Sequence, residues 1–404
     1  MGEVLRRYWT PILLDWELPT PDCDPVRVRI LGEDLVAFRD TAGSLGLLAN
    51  ECPHRRVSLY FGRNEEGGLR CVYHGWKFDT TGQCIEMPNE PAASNFAHKV
   101  QATAYPVVEA GNVIWAYLGP KDQQPPLPSF DWTVVPDSHR GITKIWQDCN
   151  WVQSLEGGID TSHSSFLHNN NMADKTALRT RSTAPILEVE NTDYGFTYSS
   201  RRHLSQEEGD FIRTYHYVMP YHQLRASQVG GSGEKVKPKA SGHMWVPIDD
   251  ENTMVFNYTY TWGDEPLTED ERALRNSGNE LYVEIDVANQ FRSFRTRTND
   301  YLLDRDVQRT KTFTGIAGTN TQDRALQETM GIIADRSKER LGTSDRAVIM
   351  ARKLLAEALT VVQDGGNPRG ALSEYYGIRP IDAILPVGTP WQELKPQMYP
   401  AAAK

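Results

Sequence analysis

Two short segments, each pairing one cysteine with one histidine, constrain this chain more than any other feature of it. They are Cys52-Pro53-His54 and Cys71-Val72-Tyr73-His74, which read as tight loops on either side of a hairpin-length insert. Each loop offers one thiolate and one imidazole, both of them metal donors. The other cysteines do not compete for that role. The chain has 5 cysteines in 404 residues, too few and too odd a number for a disulfide scaffold. Cys23, Cys84 and Cys149 have no histidine within three residues, and Cys84, in Gly82-Gln83-Cys84-Ile85, reads as a packed thiol. The N-terminus lacks the basic-then-apolar pattern of a signal peptide, so the thiols are expected to stay reduced and free for metals.

Two kinds of metal site accept this donor set. Zinc takes two cysteines and two histidines, but its fingers space like with like, Cys-x₂₋₄-Cys and His-x₃₋₅-His. The alternation Cys-His, Cys-His is the order required when two thiolates hold one iron of a [2Fe–2S] cluster and two imidazoles hold the other. The flanks favour the second. The run Cys52-Pro53-His54-Arg55, Gly62-Arg63 and Leu69-Arg70-Cys71-Val72-Tyr73-His74-Gly75-Trp76-Lys77-Phe78 resembles the Rieske cluster motif. Gly75 is expected to let the backbone pass close to the sulfurs.

A second constellation lies downstream. His163 and His168 share one short segment with Asp160, in Asp160-Thr161-Ser162-His163-Ser164-Ser165-Phe166-Leu167-His168. A lone histidine is usually a satisfied polar residue, which is the reading for the other six. Two beside a carboxylate suit a 2-His-1-carboxylate site, which binds Fe(II) on one face and leaves positions open opposite. Spacing alone does not identify the third ligand.

Taken together, the two motifs resemble those of the Rieske non-haem iron oxygenases along nearly the whole chain. The resemblance implies that Cys52, His54, Cys71 and His74 hold the cluster and that His163 and His168 hold a mononuclear Fe(II). It implies further that Asp160 bridges a neighbouring subunit's cluster histidine to an iron ligand, a role that would fix an imidazole tautomer. The stretch Asn320 to Gly331 resembles the family segment that supplies the aspartate ligand. Asp323 is therefore the expected third ligand and Glu328 the runner-up, a solvated helix start being the plainer reading of both.

Gly2 to Trp9 and Asn150-Trp151-Val152-Gln153 resemble the phthalate 4,5-dioxygenase and 3-chlorobenzoate dioxygenase branch. That branch implies a single-polypeptide oxygenase, assembled as a homotrimer or stacked trimers. NAD(P)H electrons would reach it through a reductase carrying a flavin and an iron–sulfur cluster, and O₂ would be used to cis-dihydroxylate an aromatic carboxylate. A Rieske monooxygenase or O-demethylase would use the same metal residues. A pure electron carrier would not need the long segment after the proline-rich stretch. A desolvated substrate carboxylate needs cations. Arg201, Arg202, Arg213 and Arg225 lie on strand-like sequence expected to line the pocket, Arg225 foremost, although solvent-facing strand arginines are common.

With 43 basic and 53 acidic residues the net charge is −10, which argues against nucleic-acid partners. No apolar run approaches the ~18 residues of a membrane span, and a cytoplasmic protein is expected. The expected fold class is α+β. Short strands over Val26–Leu31, Asp34–Phe38, Leu45–Leu48, Gln101–Val108 and Val113–Leu118, after a helix from Met1 to Trp9, suggest a small antiparallel β domain. Gln123 to Pro128 is the expected linker, dividing a cluster domain, 1–130, from a catalytic domain, 131–404, of antiparallel sheet flanked by helices. In the latter, strands are expected at 186–190, 195–201, 211–218, 243–247 and 253–262. Helices are expected at 268–274, 282–294 and 344–362, and a mobile loop at 230–239.

Overall fold

The computed structural model describes residues 1–276, 285–372 and 375–400. They form two compact units, Met1–Leu127 and Pro128–Lys404. Both are built mainly of antiparallel strands, so the chain is α+β.

In the first unit, α1 (Gly2–Leu5) is shorter than expected, and Trp9 already opens β1 (Trp9–Leu14). β1 tolerates Pro11 because it is the outer strand of the sheet it forms with β9 (Val107–Ala110) and β10 (Val113–Tyr117). Its register also shifts between Pro11 and Leu13. A second sheet joins β2 (Val26–Ile30), β3 (Glu33–Arg39) and β4 (Leu45–Ala49). Of the strand expected over Gln101–Val108 only the end forms. Gln101 and Ala104 make single bridges, and Pro106 has no N–H to give a ladder. The Cys52–His54 loop follows β4, and the Cys71–His74 loop joins two strands of a third sheet made of β5 (Arg63–Glu65), β6 (Gly68–Arg70), β7 (Lys77–Phe78) and β8 (Cys84–Glu86). Cys84 is buried among Phe38, Leu48, Leu69 and Phe78, as a structural thiol should be.

The second unit is organised by one large sheet. After β11 (Ser129–Phe130) and α2 (Asp131–Val134), its strands are β12 (Arg140–Gln147), β13 (Ile186–Asn191), β14 (Gly195–Ser205), β15 (Gly209–Val218), β16 (His222–Val229), β17 (Lys235–Pro247) and β18 (Thr253–Thr261). Their order across the sheet is β12-β18-β17-β16-β15-β14-β13, and the short strand Asp382–Leu385 adds to β15. β12 gave no sequence signal because all eight of its residues are buried, so the polar–apolar alternation of a half-exposed strand is absent. The expected mobile loop at 230–239 is a tight turn, and Lys235 pairs with Val229.

Helices among the described residues include α3 (Trp151–Ile159), α4 (Leu178–Arg181), α5 (Glu269–Asn276), α6 (Arg305–Thr310), α7 (Thr319–Thr329) and α8 (Arg346–Gln363). α8 buries Val348, Ala351, Leu354, Leu355 and Ala358 at the expected helical spacing. Of the helix expected over 282–294, Tyr282 to Glu284 lie outside the described residues. From Ile285 the chain forms a small antiparallel turn instead, with Gln290 and Phe291 at φ 57° and 63°, which no right-handed helix allows. Among the described residues no helix is long and apolar enough to cross a membrane.

His216 of β15 is fully buried, bonded through Nδ1 to the Tyr194 hydroxyl (2.7 Å) and through Nε2 to the Arg379 carbonyl (3.1 Å). Burial lowers its pKa to about 4. The folded value is below the unfolded one, so this histidine's contribution to stability is complete above pH ~6.5 and is lost as pH falls towards 4, by roughly 3 kcal/mol. In chemical denaturation between pH 7 and pH 4.5, the decline in stability is expected to be shallower in His216→Gln than in the parent.

Candidate metal centre and its cavity

The downstream histidines are positioned by α3. Asn150 caps it, its Oδ1 accepting from the Val152 N–H at 3.0 Å. Two glycines let it approach its neighbours. A Cβ on Gly158 would stand 2.0 Å from Trp245 of β17, and one on Gly157 would stand 2.1 Å from the Gln327 amide of α7. α3 ends at Asp160, and the turn that follows brings His163 and His168 back over the sheet.

There they meet Asp323 of α7. The two Nε2 atoms are 3.0 Å apart, and Asp323 Oδ1 lies 3.5 Å from His163 Nε2 and 3.3 Å from His168 Nε2. Among the described residues this is the one group of three metal-donor side chains whose ligand atoms all lie within 4.8 Å of one another. Burial alone would raise the Asp323 carboxyl, but His168 and His163 hold it below the usual range. Glu328 is elsewhere. Its carboxylate accepts from the Tyr301 hydroxyl and, at 3.1 Å, from the Asp148 N–H, and burial raises its pKa. It is neither a third ligand nor part of a solvated helix start.

Each imidazole is held from behind. His163 Nδ1 faces Asp160 Oδ2 at 3.3 Å, and Asp160 Oδ1 is fixed by the Ser162 N–H (2.7 Å) and hydroxyl (2.8 Å). Burial disfavours the Asp160 charge, but His163 and Ser162 outweigh it and the pKa is lowered. Behind His168 stands Gln322, a residue the sequence reading passed over although it adjoins Asp323. Its Nε2 donates to Asn170 Oδ1 (2.7 Å), the Ile316 carbonyl (2.8 Å) and Thr314 Oγ1 (3.2 Å), so its Oε1 must face His168 Nδ1, at 2.9 Å. The acceptor fixes the proton on Nδ1 and turns the Nε2 lone pair towards the triad. Gln322→Leu should weaken ferrous ion binding by about 10- to 100-fold. Metal titration of the variant, alongside its circular dichroism spectrum, checks this.

The triad roofs a cavity whose floor is one face of the sheet. Gln223, His243 and Asn257 form one cross-strand row, with Arg225 and Tyr215 a step to one side and Ile145, Val255 and Trp245 a step to the other. The floor thus grades from cationic to apolar. Arg225 has no hydrogen bond or ion pair among the described residues, and burial and then Arg213 lower its pKa. Arg213 also lines the cavity, its Nε donating to Asp382 at 3.1 Å. The other two arginines differ from expectation. Arg201 is outside the lining, because it pairs with Asp210 (2.8 Å) and donates to the Thr389 carbonyl (2.9 Å). Arg202 points to the opposite face of β14 and donates to Ser165 Oγ and to the Thr161 and Ser182 carbonyls, tying down the histidine turn.

In the first unit, Cys52 and Cys71 are buried against one another, and burial followed by the neighbouring Cys71 pushes the Cys52 thiol up to about 11. The His54 and His74 rings lie 4.4 Å apart, His54 stacking on Trp76 at 4.3 Å. Both Nδ1 atoms are buried without a hydrogen-bond partner. Two crowded thiols and two orphaned imidazole nitrogens are a donor set that a two-iron cluster satisfies, so the residues fit the group. Gly75 is also demanded by its own backbone and packing. Its φ is +79°, and a Cβ there would meet Pro88 at 2.6 Å.

Residues 8–103 match the Rieske [2Fe-2S] domain family, and residues 116–403 match the family described as LigXa C-terminal domain like. A cluster domain followed by such a domain defines the class as the oxygenase subunits of Rieske systems. The chain belongs to the Rieske non-haem iron oxygenases. It is 40% identical to the phthalate 4,5-dioxygenase oxygenase subunit of Pseudomonas putida, over 92% of this chain and 85% of the relative. It is 34% identical to the 3-chlorobenzoate-3,4-dioxygenase oxygenase subunit of Comamonas testosteroni, over 97% and 93%. The 5,5'-dehydrodivanillate O-demethylase oxygenase subunit of a Sphingobium strain is 30% identical, over 93% and 80%. Its cofactors are accordingly a Rieske cluster and a mononuclear iron, supplied with electrons by a separate reductase.

Proposed function

We propose that this chain is the terminal oxygenase of a ring-hydroxylating dioxygenase that cis-dihydroxylates an aromatic carboxylate. One observation carries the substrate class, namely Arg225, a cation with no hydrogen bond or ion pair among the described residues, on the floor of the cavity roofed by His163, His168 and Asp323. A half-buried guanidinium with no ion pair among the described residues is complementary to an anion that arrives with the substrate. The apolar side of the floor, Ile145, Val255 and Trp245, suits the ring.

In this reading Cys52 and Cys71 hold one iron of the cluster, His54 and His74 the other, and His163, His168 and Asp323 hold the mononuclear iron. The cluster supplies electrons and the mononuclear iron supplies dioxygen activation. The chain's own residues do the rest. Asp160 and Gln322 fix the tautomers of the two imidazoles, Arg225 orients the carboxylate, and Trp245 and Val255 exclude water from the ring's face. Residues 1–130 act as the electron-receiving domain and 131–404 as the catalytic one. The assembly is a homotrimer or stacked trimer served by a reductase with a flavin and an iron–sulfur cluster, and Asp160 links subunits.

Reductase-coupled turnover under ¹⁸O₂ with phthalate, 3-chlorobenzoate and a methoxybenzoate tests this, read by mass spectrometry. Two labelled oxygens in a ring diol are expected. One labelled oxygen or released formaldehyde would establish instead the second reading, a monooxygenase or demethylase, which the O-demethylase relative favours. NADH oxidation without product from any of the three would overturn the substrate class.

A further inference from the structure

The cavity floor carries a polar pair that neither the metals nor the carboxylate reading uses. His243 of β17 and Asn257 of β18 are directly opposed across the ladder. Asn257 Oδ1 accepts from His243 Nδ1 at 2.6 Å, and His243 stacks on Trp245 at 5.2 Å. The pair is therefore held in one orientation. Asn257 is 1% exposed, yet its Nδ2 has no hydrogen-bond partner. An amide N–H₂ buried without an acceptor is costly, and its position in a ligand cavity gives the cost a use. We propose that Asn257, oriented by His243, is a second recognition point that donates a hydrogen bond to an oxygen substituent across the ring from the carboxylate.

The position of the substituent follows from the sheet. Asn257 is two strands and one pleat repeat from Arg225, since Arg225 opposes Ser241 and His243 opposes Asn257. With ~4.8 Å between strands and ~3.3 Å per residue, the two backbone positions are on the order of 12 Å apart. Side chains on one face of a sheet stand roughly parallel, and a separation of that order is what a benzene ring, its two substituents and a hydrogen bond at each end span. An ortho substituent would lie beside the carboxylate, near Arg225 and beyond the reach of Asn257. A meta or para oxygen, whether phenol, ether or second carboxylate, lies where Asn257 can donate to it. This rests on the aromatic-carboxylate reading and adds a preference among such substrates.

The test is binding to the metal-loaded enzyme by isothermal titration calorimetry, with benzoate, 4-hydroxybenzoate, phthalate and terephthalate as probes. The parent should bind 4-hydroxybenzoate and terephthalate about tenfold more tightly than benzoate, the effect of one added hydrogen bond to a buried donor. Asn257→Leu should bring the affinities for benzoate and 4-hydroxybenzoate together. Asn257→Asp, which keeps the shape but replaces the donor by an acceptor, should reject terephthalate while still accepting a hydrogen bond from the 4-hydroxyl. Arg225→Leu should weaken all four probes. A parent that prefers phthalate to both para-substituted acids, or an Asn257→Leu enzyme that keeps the preference for 4-hydroxybenzoate, would overturn the proposal and leave the carboxylate reading standing. Binding of none of the four would overturn both.

Discussion

Asp323→Ala is expected to reduce bound iron from about three atoms per chain to about two, leave the visible spectrum of the cluster in place and abolish turnover. The expectation rests on the donor count. His163, His168 and Asp323 supply the one close three-donor group among the described residues, and two neutral imidazoles without a carboxylate make a much weaker site for a hard divalent ion. Glu328 cannot substitute, although it lies on the same helix, because its carboxylate is committed to Tyr301 and to the Asp148 N–H. Iron analysis, the absorption spectrum and reductase-coupled oxygen uptake together check it. Cluster loss accompanying loss of the third iron would show that the two sites do not assemble independently.

Arg225→Leu is expected to do two things that usually oppose each other. It should lower kcat/KM for an aromatic carboxylate by about 30- to 1,000-fold, since a charge-assisted hydrogen bond to a desolvated carboxylate is worth roughly 2–4 kcal/mol. It should also raise the melting temperature of the substrate-free protein. Burial and then the neighbouring Arg213 work against the Arg225 charge and outweigh the opposing pull of Tyr215, Asp323 and Tyr198, and among the described residues no ion pair holds it. A leucine removes that penalty. Lower activity with higher stability is the signature of a binding residue, whereas a structural residue would lose both. Steady-state kinetics and thermal melts of one preparation distinguish them.

The parts of this molecule that were legible in the sequence are those where chemistry is local. Cys52, His54, Cys71 and His74 are close along the chain, as are Asp160, His163 and His168, so donor type and spacing pointed to metals before any fold was known. Asp323 was reached only through resemblance, because a helix about 155 residues downstream announces no partner. The floor was illegible for a different reason. His243, Asn257 and Trp245 become neighbours only through the register of β17 and β18, and each alone reads as an ordinary strand residue. Arg201 and Arg225 look alike in sequence, and only the acids that fold against them tell them apart. Asp210 claims the first, and among the described residues no carboxylate pairs with the second.

The two cluster loops carry a mechanical consequence. Each is closed by its own backbone bond, Arg56 N–H to the Cys52 carbonyl at 2.8 Å and Gly75 N–H to the Cys71 carbonyl at 2.9 Å, so each is a complete turn in itself. Inorganic bonds from one turn to the other would then join them as a staple does, closing the stretch from Cys52 to Cys71 into a ring. By the loop-closure argument used for disulfides, a ring of that length contributes about 3 kcal/mol by restricting the unfolded chain. Electron transfer and the kinetic persistence of the domain are thereby tied to the same four atoms, and oxidative loss of the cluster would open this segment to proteases.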